Sequence, residues 1–175
     1  MLHSLATAQV SLENDERQAP GYGVVLRGPA RPDLIRDELL CEIFAATAKR
    51  QPSAIAMVTA EGKLTYAEVD AKAETLARGL IRKGVRPGRV AGLWMPRGHE
   101  LLIAQIAIAQ TGAAWLPFDA DAPAERIALC LSDAEAWGIL TTSAFAAKLA
   151  VPCPAWTFAG LLAESTGNGL LEVRG

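Results

Sequence analysis

Hydrophobic positions along the chain alternate between helical spacing and short apolar runs, so both helices and strands are predicted. The first segment with helical spacing contains Leu40, Ile43, Phe44 and Thr47, and it predicts a helix. Pro52 ends this segment, because proline cannot continue a helix. Two short runs, 54–59 and 63–65, then flank Gly62, and this pattern predicts a β-hairpin.

A second helix is predicted directly after the hairpin. Thr65 and Glu68 match a capping box, in which the threonine hydroxyl accepts from the N–H three residues later and the glutamate reaches back. The apolar face of this helix consists of Val69, Ala73, Leu76, Ala77 and Leu80. Gly84 is expected to end the helix in the left-handed conformation that glycine adopts readily.

Beyond Gly84, strands and helices alternate through short loops. Strands are predicted at 89–95, 113–118, 136–141 and 155–158. Helices are predicted at 98–111, 123–131 and 143–150, with a single helical turn at 159–163. The strands are continuous apolar runs, which is typical of parallel strands buried on both faces. The predicted fold class is therefore α/β, with a mainly parallel sheet and helices on both faces.

Three regions are expected along the chain. Residues 1–33 form an irregular leader, with a charged segment at 13–17, many glycines and prolines, and at most a short strand at 24–26. Before residue 20 the leader is expected to be poorly ordered or held by a neighbour, since little in it can bury apolar surface. Residues 34–163 form the α/β domain, and residues 164–175 form a tail or linker.

Composition and charge exclude several classes of protein. The chain has 175 residues, a net charge of -2 and 51% hydrophobic residues, which is typical of one soluble globular domain. It has no long basic run, so no nucleic-acid partner is expected. The longest apolar run, Leu101–Ala109, is about half of the roughly 20 residues that a bilayer span needs, so no membrane contact is expected.

The three cysteines indicate a reducing compartment. Cys41, Cys130 and Cys153 are an odd number, lie far apart and form no Cys-x-x-Cys pair. This pattern argues against a disulfide framework or a zinc site, and favours a cytoplasmic location.

Candidate chemistry is sparse. His99 is interpreted as a solvated residue in the first turn of a helix in preference to a catalytic base. Asp119 and Asp121 follow a predicted strand and could bind a metal ion or a ribose, but capping of the helix that begins near Pro123 is favoured. Arg97, also after a strand, could bind an anion, and Asp133 and Glu135 are assigned to an ordinary turn.

Glycine-rich segments and tryptophans give no stronger candidate. Gly21–Gly23 lacks the third glycine of a dinucleotide loop, and Gly84, Gly88 and Gly92 straddle a loop and a strand. Ser165–Gly169 has the composition of a phosphate loop but no following lysine, so a flexible tail is favoured. The tryptophans are assigned to strand packing: Trp94, Trp115, Trp137 and Trp156. No catalytic, cofactor-binding or metal-binding residue is assigned.

Three segments resemble a known family. Leu64–Asp70 resembles the "LTYxEL" first core motif of adenylate-forming enzymes. Gly92–Arg97 and the helix up to Gly112 resemble "VGIxLPRSxExxVAxLAILKAG", and Ala109–Ile127 resembles the second core motif, "KAGAAYVPLDPxxPxERI". Their order and spacing resemble the start of an amino-acid adenylation domain of a nonribosomal peptide synthetase. Gly28–Glu38 also looks like the poly-lysine-synthetase-like subclass.

The chain departs from the family pattern at two positions: Ala120 replaces the usual proline, and Gly98 stands where serine is common. The phosphate loop, adenine platform, catalytic lysine and amino-acid selectivity residues of the family lie further along and match no position here. The resemblance therefore implies no ATP-binding residue in this chain.

For the whole enzyme, the resemblance implies activation of an amino acid with ATP and magnesium, followed by transfer to a phosphopantetheine thiol. This chain would be an N-terminal, non-catalytic scaffold. Its partners would be the remainder of the adenylation domain and a carrier domain. As an isolated segment it is expected to expose apolar surface and to form a homodimer. The alternatives are a segment of an acyl-CoA ligase and a stand-alone, non-catalytic interaction module.

Overall fold

A computed structural model describes residues 29, 31–32 and 37–167, with the backbone alone for 165–167. The chain divides into two units between Asp37 and Glu38, and every element described below belongs to the second unit. The short strand predicted at 24–26 and the leader before residue 20 lie outside the described residues, and so does the end of the predicted tail.

Six helices and six strands follow one another within the described residues. The helices are α1 (Leu40–Arg50), α2 (Tyr66–Arg82), α3 (His99–Gln110), α4 (Ala124–Asp133), α5 (Ser143–Ala146) and α6 (Phe158–Gly167). The strands are β1 (Ile55–Thr59), β2 (Gly62–Thr65), β3 (Val90–Trp94), β4 (Ala114–Phe118), β5 (Gly138–Thr141) and β6 (Ala155–Thr157).

The two ends of α2 confirm the local signals in the sequence. The Glu68 main-chain N–H donates to Thr65 Oγ1 at 3.3 Å, and the Thr65 N–H donates to Glu68 Oε2 at 2.8 Å, which completes the capping box. At the other end, Gly84 has φ +86°. The Gly84 N–H donates to the Ile81 carbonyl at 2.9 Å, so the helix ends where glycine permits a left-handed residue.

The main sheet has four parallel strands in the order β4-β3-β5-β6. The predicted hairpin forms a separate antiparallel pair, β1 and β2. In the main sheet, Ala91 aligns with Trp115 on one side and with Gly138 on the other. The parallel sheet and the four predicted strand positions are confirmed.

Helices cover both faces of this sheet, as predicted. On the first face, Leu93 of β3 and Leu140 of β5 pack with residues of α2, α3 and α6. On the second face, Trp94 and Ile139 pack with α4 and α5. Trp94 follows Leu93 in β3, and Ile139 precedes Leu140 in β5. Since side chains of a strand alternate between faces, two covered faces require a continuous apolar run.

Two glycines leave space beside the strands for large side chains. A Cβ atom at Gly92 would lie 2.6 Å from Cδ2 of Leu131 in α4, and a Cβ atom at Gly138 would overlap the ring of Trp156. Side chains at these positions would push α4 or Trp156 away from the strands.

Several boundaries differ from the sequence prediction. Helix α5 ends at Ala146 instead of residue 150, because Lys148 and Leu149 donate to carbonyls three residues back and Leu149 packs on the second face. Helix α6 runs to Gly167 instead of forming one turn, since Phe158 and Leu161 anchor it in the core. Trp137 lies immediately before β5 and not within it.

Candidate functional site

The carboxyl ends of β3 and β5 mark the point where the chain order of the sheet reverses. The helix after β3 packs on the first face and the helix after β5 on the second, so the two connections diverge. In open α/β sheets, ligands bind in the crevice that such a divergence leaves. This edge is therefore the expected position of a ligand site.

Hydrogen bonds tie this edge together. The Thr141 hydroxyl, at the end of β5 and fully buried, donates to the Trp94 carbonyl at the end of β3 at 2.5 Å. The Trp94 indole N–H donates to the Asp119 carbonyl after β4 at 2.9 Å. Phe145 packs on the Trp94 ring with centroids 4.4 Å apart. Three strand ends and α5 are thereby held in a fixed arrangement.

A cleft of about 410 Å³ opens beside the end of β3, between the hairpin, α2, α3 and the start of α6. Its lining includes the apolar side chains of Leu64, Pro96, Ile103 and Phe158 and the charged or titratable side chains of Glu61, Lys72, Arg97, His99 and Glu100. The cleft therefore has an apolar part and groups of both charges.

His99 connects α3 to the hairpin at the rim of this cleft. Its Nε2 lies 2.9 Å from Thr59 Oγ1, and its Nδ1 lies 3.9 Å from Glu61 Oε2. The Thr59 hydroxyl donates its one proton to the Glu61 carboxylate, so its oxygen accepts from His99 Nε2–H. The His99 side chain is only 15% exposed. The interpretation of His99 as a solvated residue is therefore wrong, because the hairpin covers it.

Hydrogen bonds favour the ionised form of two glutamates in this region. The Thr59 hydroxyl and the main-chain N–H of Glu61 itself lower the pKa of the Glu61 carboxyl, and His99 adds to this. The Thr65 main-chain N–H and hydroxyl likewise lower the pKa of Glu68. Both carboxylates are favoured in the ionised form, in which they serve as acceptors in the fold.

The pair Asp119 and Asp121 does not form a cap. Helix α4 begins after Pro123, and no described side chain forms a cap hydrogen bond there. The turn is closed instead through the backbone, where the Ala122 N–H donates to the Asp119 carbonyl at 3.0 Å. The favoured capping role is therefore wrong. Nor do the described residues contain a group of three or more His, Cys, Asp or Glu side chains placed to hold a metal ion.

The other candidate residues from the sequence do not form a common site. Arg97 is exposed on the rim of the cleft and forms no hydrogen bond or ion pair with another described residue. Gly84 and Gly88 form turns at the opposite end of the sheet, and Gly92 lies within β3. Residues 165–167 of the glycine-rich tail continue α6, so a flexible tail from 165 is wrong for them, and Gly21–Gly23 lies outside the described residues.

Sequence reasoning missed the contribution of the hairpin to this cleft. Thr59 and Glu61 are 40 and 38 residues from His99 in the chain, and no local pattern joins them. The only available signal was the Glu61-Gly62 turn between two short strands.

In the described part of the chain, no helix combines the length and the apolar character that a bilayer span requires.

Comparison with known proteins gives the same family from sequence and from structure. The model of the family described as AMP-binding enzyme matches residues 44–163. The delta-poly-L-ornithine synthetase of Acinetobacter baumannii is 50% identical over 134 residues, which are 76% of this chain and 10% of that protein.

Two solved structures extend the comparison. The nonribosomal peptide synthetase FmoA3, in its α-methyl-L-serine-AMP bound form, superposes with a TM-score of 0.66 at 36% identity, over 70% of this chain and 14% of that one. The N-terminal subdomain of NpsA from Klebsiella oxytoca shares the fold, with a TM-score of 0.65 at 22% identity, over 71% of this chain and 32% of that one. This chain thus spans only a small part of the relatives it matches. It belongs to the AMP-binding enzyme family, as the N-terminal part of an adenylation domain of the nonribosomal peptide synthetase type.

Proposed function

We propose that this chain is the scaffold part of an enzyme that activates an amino acid with ATP as an aminoacyl adenylate and loads it on a phosphopantetheine carrier. The observation that carries the proposal is the 50% identity to delta-poly-L-ornithine synthetase over 134 residues. The name of that relative makes ornithine the first substrate to test.

The described residues support a structural part in this reaction. Hydrogen bonds of Thr141 and of the Trp94 indole fix the carboxyl edge of the sheet. Helix α2 packs on the hairpin, and His99 of α3 bonds to it. Since these residues provide no ligand set for a metal ion, we assign the binding of magnesium and ATP to the rest of the adenylation domain. Bound there, ATP would supply the α-phosphoryl group that the carboxylate of the amino acid attacks, with pyrophosphate as the leaving group.

The proposed partners follow from the same assignment. They are the remainder of the adenylation domain, which would meet the exposed apolar side chains of this unit, and the carrier domain that receives the aminoacyl group. The three cysteines are free thiols, which fits a reducing cytoplasm as the location.

Exchange of labelled pyrophosphate into ATP tests the proposal. The full product of the reading frame that contains this chain is assayed with ornithine, with a pool of other amino acids, and with a pool of fatty and aryl acids. Exchange that depends on an amino acid supports the proposal. Exchange confined to acids without an α-amino group would assign the protein to the acyl-CoA ligases, and no exchange with any pool would favour a non-catalytic module.

A further inference from the structure

A tryptophan is held in a fixed position at the end of the sheet where the strands begin. The Trp137 main-chain N–H donates to the Val90 carbonyl at 2.8 Å, and its indole N–H donates to the Lys83 carbonyl at 2.9 Å. The indole also lies against Gly84, where a Cβ atom would come within 3.0 Å of Nε1. Despite these contacts Trp137 is 37% exposed. Part of this rigidly held aromatic ring is therefore accessible to solvent.

Arg89 stacks on this indole. Its guanidinium carbon lies 4.0 Å from the ring centroid, within the range of a cation–π interaction. Among the described residues, Arg89 makes no ion pair and no side-chain hydrogen bond. A guanidinium carries five N–H donors in one plane. The stack therefore fixes the group while no described acceptor occupies its donors.

Two positive charges at the stack, those of Arg86 and Arg89, have no acidic partner among the described residues. Arg86 belongs to the same turn, since the Arg89 N–H donates to its carbonyl at 3.1 Å, and its exposed side chain also has no partner among the described residues. The Lys83 ammonium is paired with Glu164 at 2.9 Å. Asp133 and Glu135, which precede Trp137 in the chain, form no ion pair with either arginine.

We propose that Arg86, Arg89 and Trp137 form a docking surface for an acidic polypeptide segment of a partner protein. A planar guanidinium binds a carboxylate through two parallel hydrogen bonds, and a guanidinium already held on an aromatic ring loses less freedom when it does so. Tryptophan and arginine are also the residues that most often dominate protein–protein binding energy. This surface goes beyond the adenylation reaction, because it lies at the opposite end of the sheet from the cleft.

Titration of the ¹⁵N-labelled chain with a hexaglutamate peptide tests the proposal. The readout is the indole N–H resonance of Trp137, identified as the one that disappears in Trp137→Phe. We expect a saturable shift of this resonance that is larger than those of Trp94, Trp115 and Trp156. Arg89→Lys keeps the charge and loses the planar group, so it should weaken binding by about fivefold or more.

Arg126→Lys, on the exposed side of α4, is the matched control and should bind the peptide like the unaltered chain. Equal affinity of Arg89→Lys and the unaltered chain would overturn the proposal, because binding would then need only positive charge. Tighter binding of a hexathymidylate oligonucleotide than of hexaglutamate would overturn it in favour of nucleic acid. Spectra of the amide region establish that each variant is folded, so loss of binding and loss of fold are distinguished.

Discussion

At the scale of single residues, the N-cap of α2 is the local interaction that the sequence predicts most directly. Thr65→Ala removes the hydroxyl that accepts from the Glu68 N–H. We expect a loss of about 1 kcal/mol in the free energy of unfolding, because one helix N–H loses its partner. Chemical denaturation measures this loss. The control is Thr75→Ala, within the same helix, where the exposed hydroxyl bonds to the Ala71 carbonyl and the Arg78 side chain and alanine is the better helix former.

A loss as small for Thr65→Ala as for Thr75→Ala would contradict the role assigned to the capping box. Both variants delete the same atoms from the same helix. A difference in stability between the two variants therefore comes from the position of the hydroxyl, because the deleted atoms are the same.

Asp70 should make the stability of the protein depend on pH. Burial, and then the negative charge of Glu74, raise the pKa of the Asp70 carboxyl above its usual value of 3.8. The folded state therefore disfavours the charged form, and its stability falls as pH rises through the range in which Asp70 ionises. Asp70→Asn should be more stable than the unaltered chain near about pH 7, and the difference should disappear near about pH 3.

Urea denaturation at the two pH values measures this difference. A stabilisation of Asp70→Asn that persists at low pH would mean that the amide acts by packing or hydrogen bonding and not by removal of charge.

Contacts between neighbours in the chain could be predicted from the sequence, whereas the distant contacts at the cleft could not. The capping box and Gly84 involve partners within four residues, and the structure confirms both. His99 is covered by Thr59, 40 residues away, and only the folded hairpin brings them together. The placement of Asp119 fails for a related reason. Its carbonyl is used by the Trp94 indole and by the Ala122 N–H, so the backbone closes the turn without a carboxylate.

At the scale of elements, the packing of β6 on β5 depends on a glycine. Gly138→Ala would place a methyl group into the ring of Trp156. We expect a loss of about 1–3 kcal/mol in the free energy of unfolding, because the ring must move from the sheet. Trp156→Phe removes the atoms that collide, so the double variant should lose less than the sum of the two single variants.

Thermal denaturation of the four proteins in this cycle measures the coupling. Gly98→Ser is the control at a glycine with space, since the nearest atom to its Cβ is 3.5 Å away, and serine at this N-cap of α3 should add a few tenths of a kcal/mol. Strictly additive losses in the Gly138–Trp156 cycle would show that the two positions do not compete for the same space.

The pattern of apolar positions predicts these elements well where each forms a complete amphipathic or buried unit. The strands of the main sheet are apolar throughout because two helical layers cover them, and that pattern is visible in the sequence. Helix α5 is shorter than its composition suggests, since Leu149, Val151 and Cys153 leave the helical path to pack on the second face. Helix α6 is longer because Phe158 and Leu161 bury against α2, a contact that spacing alone does not show.

At the scale of the whole molecule, the isolated chain should self-associate. Several large apolar side chains are more than 40% exposed: Leu39, Leu40, Ile55, Val58, Ile81, Leu102 and Leu129. Such surface tends to find a partner, and a symmetric dimer is the commonest outcome. Light scattering over a range of concentrations should give a mass that rises above that of one chain. A mass that stays at the monomer value up to the solubility limit would contradict this expectation.

The isolated chain should also fail to bind ATP by itself. Anchoring a triphosphate needs a glycine-rich loop that leads into a helix and a lysine that reaches the phosphates, and no described loop of this chain combines them. Arg97 and Lys72 line the cleft, but Glu61 and Glu100 line it as well, so the cleft offers a polyanion no consistent positive field. Calorimetry with Mg-ATP should therefore show no saturable heat for the chain. The same titration with Arg97→Ala separates the cleft from the rest of the surface. Low-micromolar binding that this variant loses would place an ATP site in the cleft and transfer part of the proposed reaction to this chain.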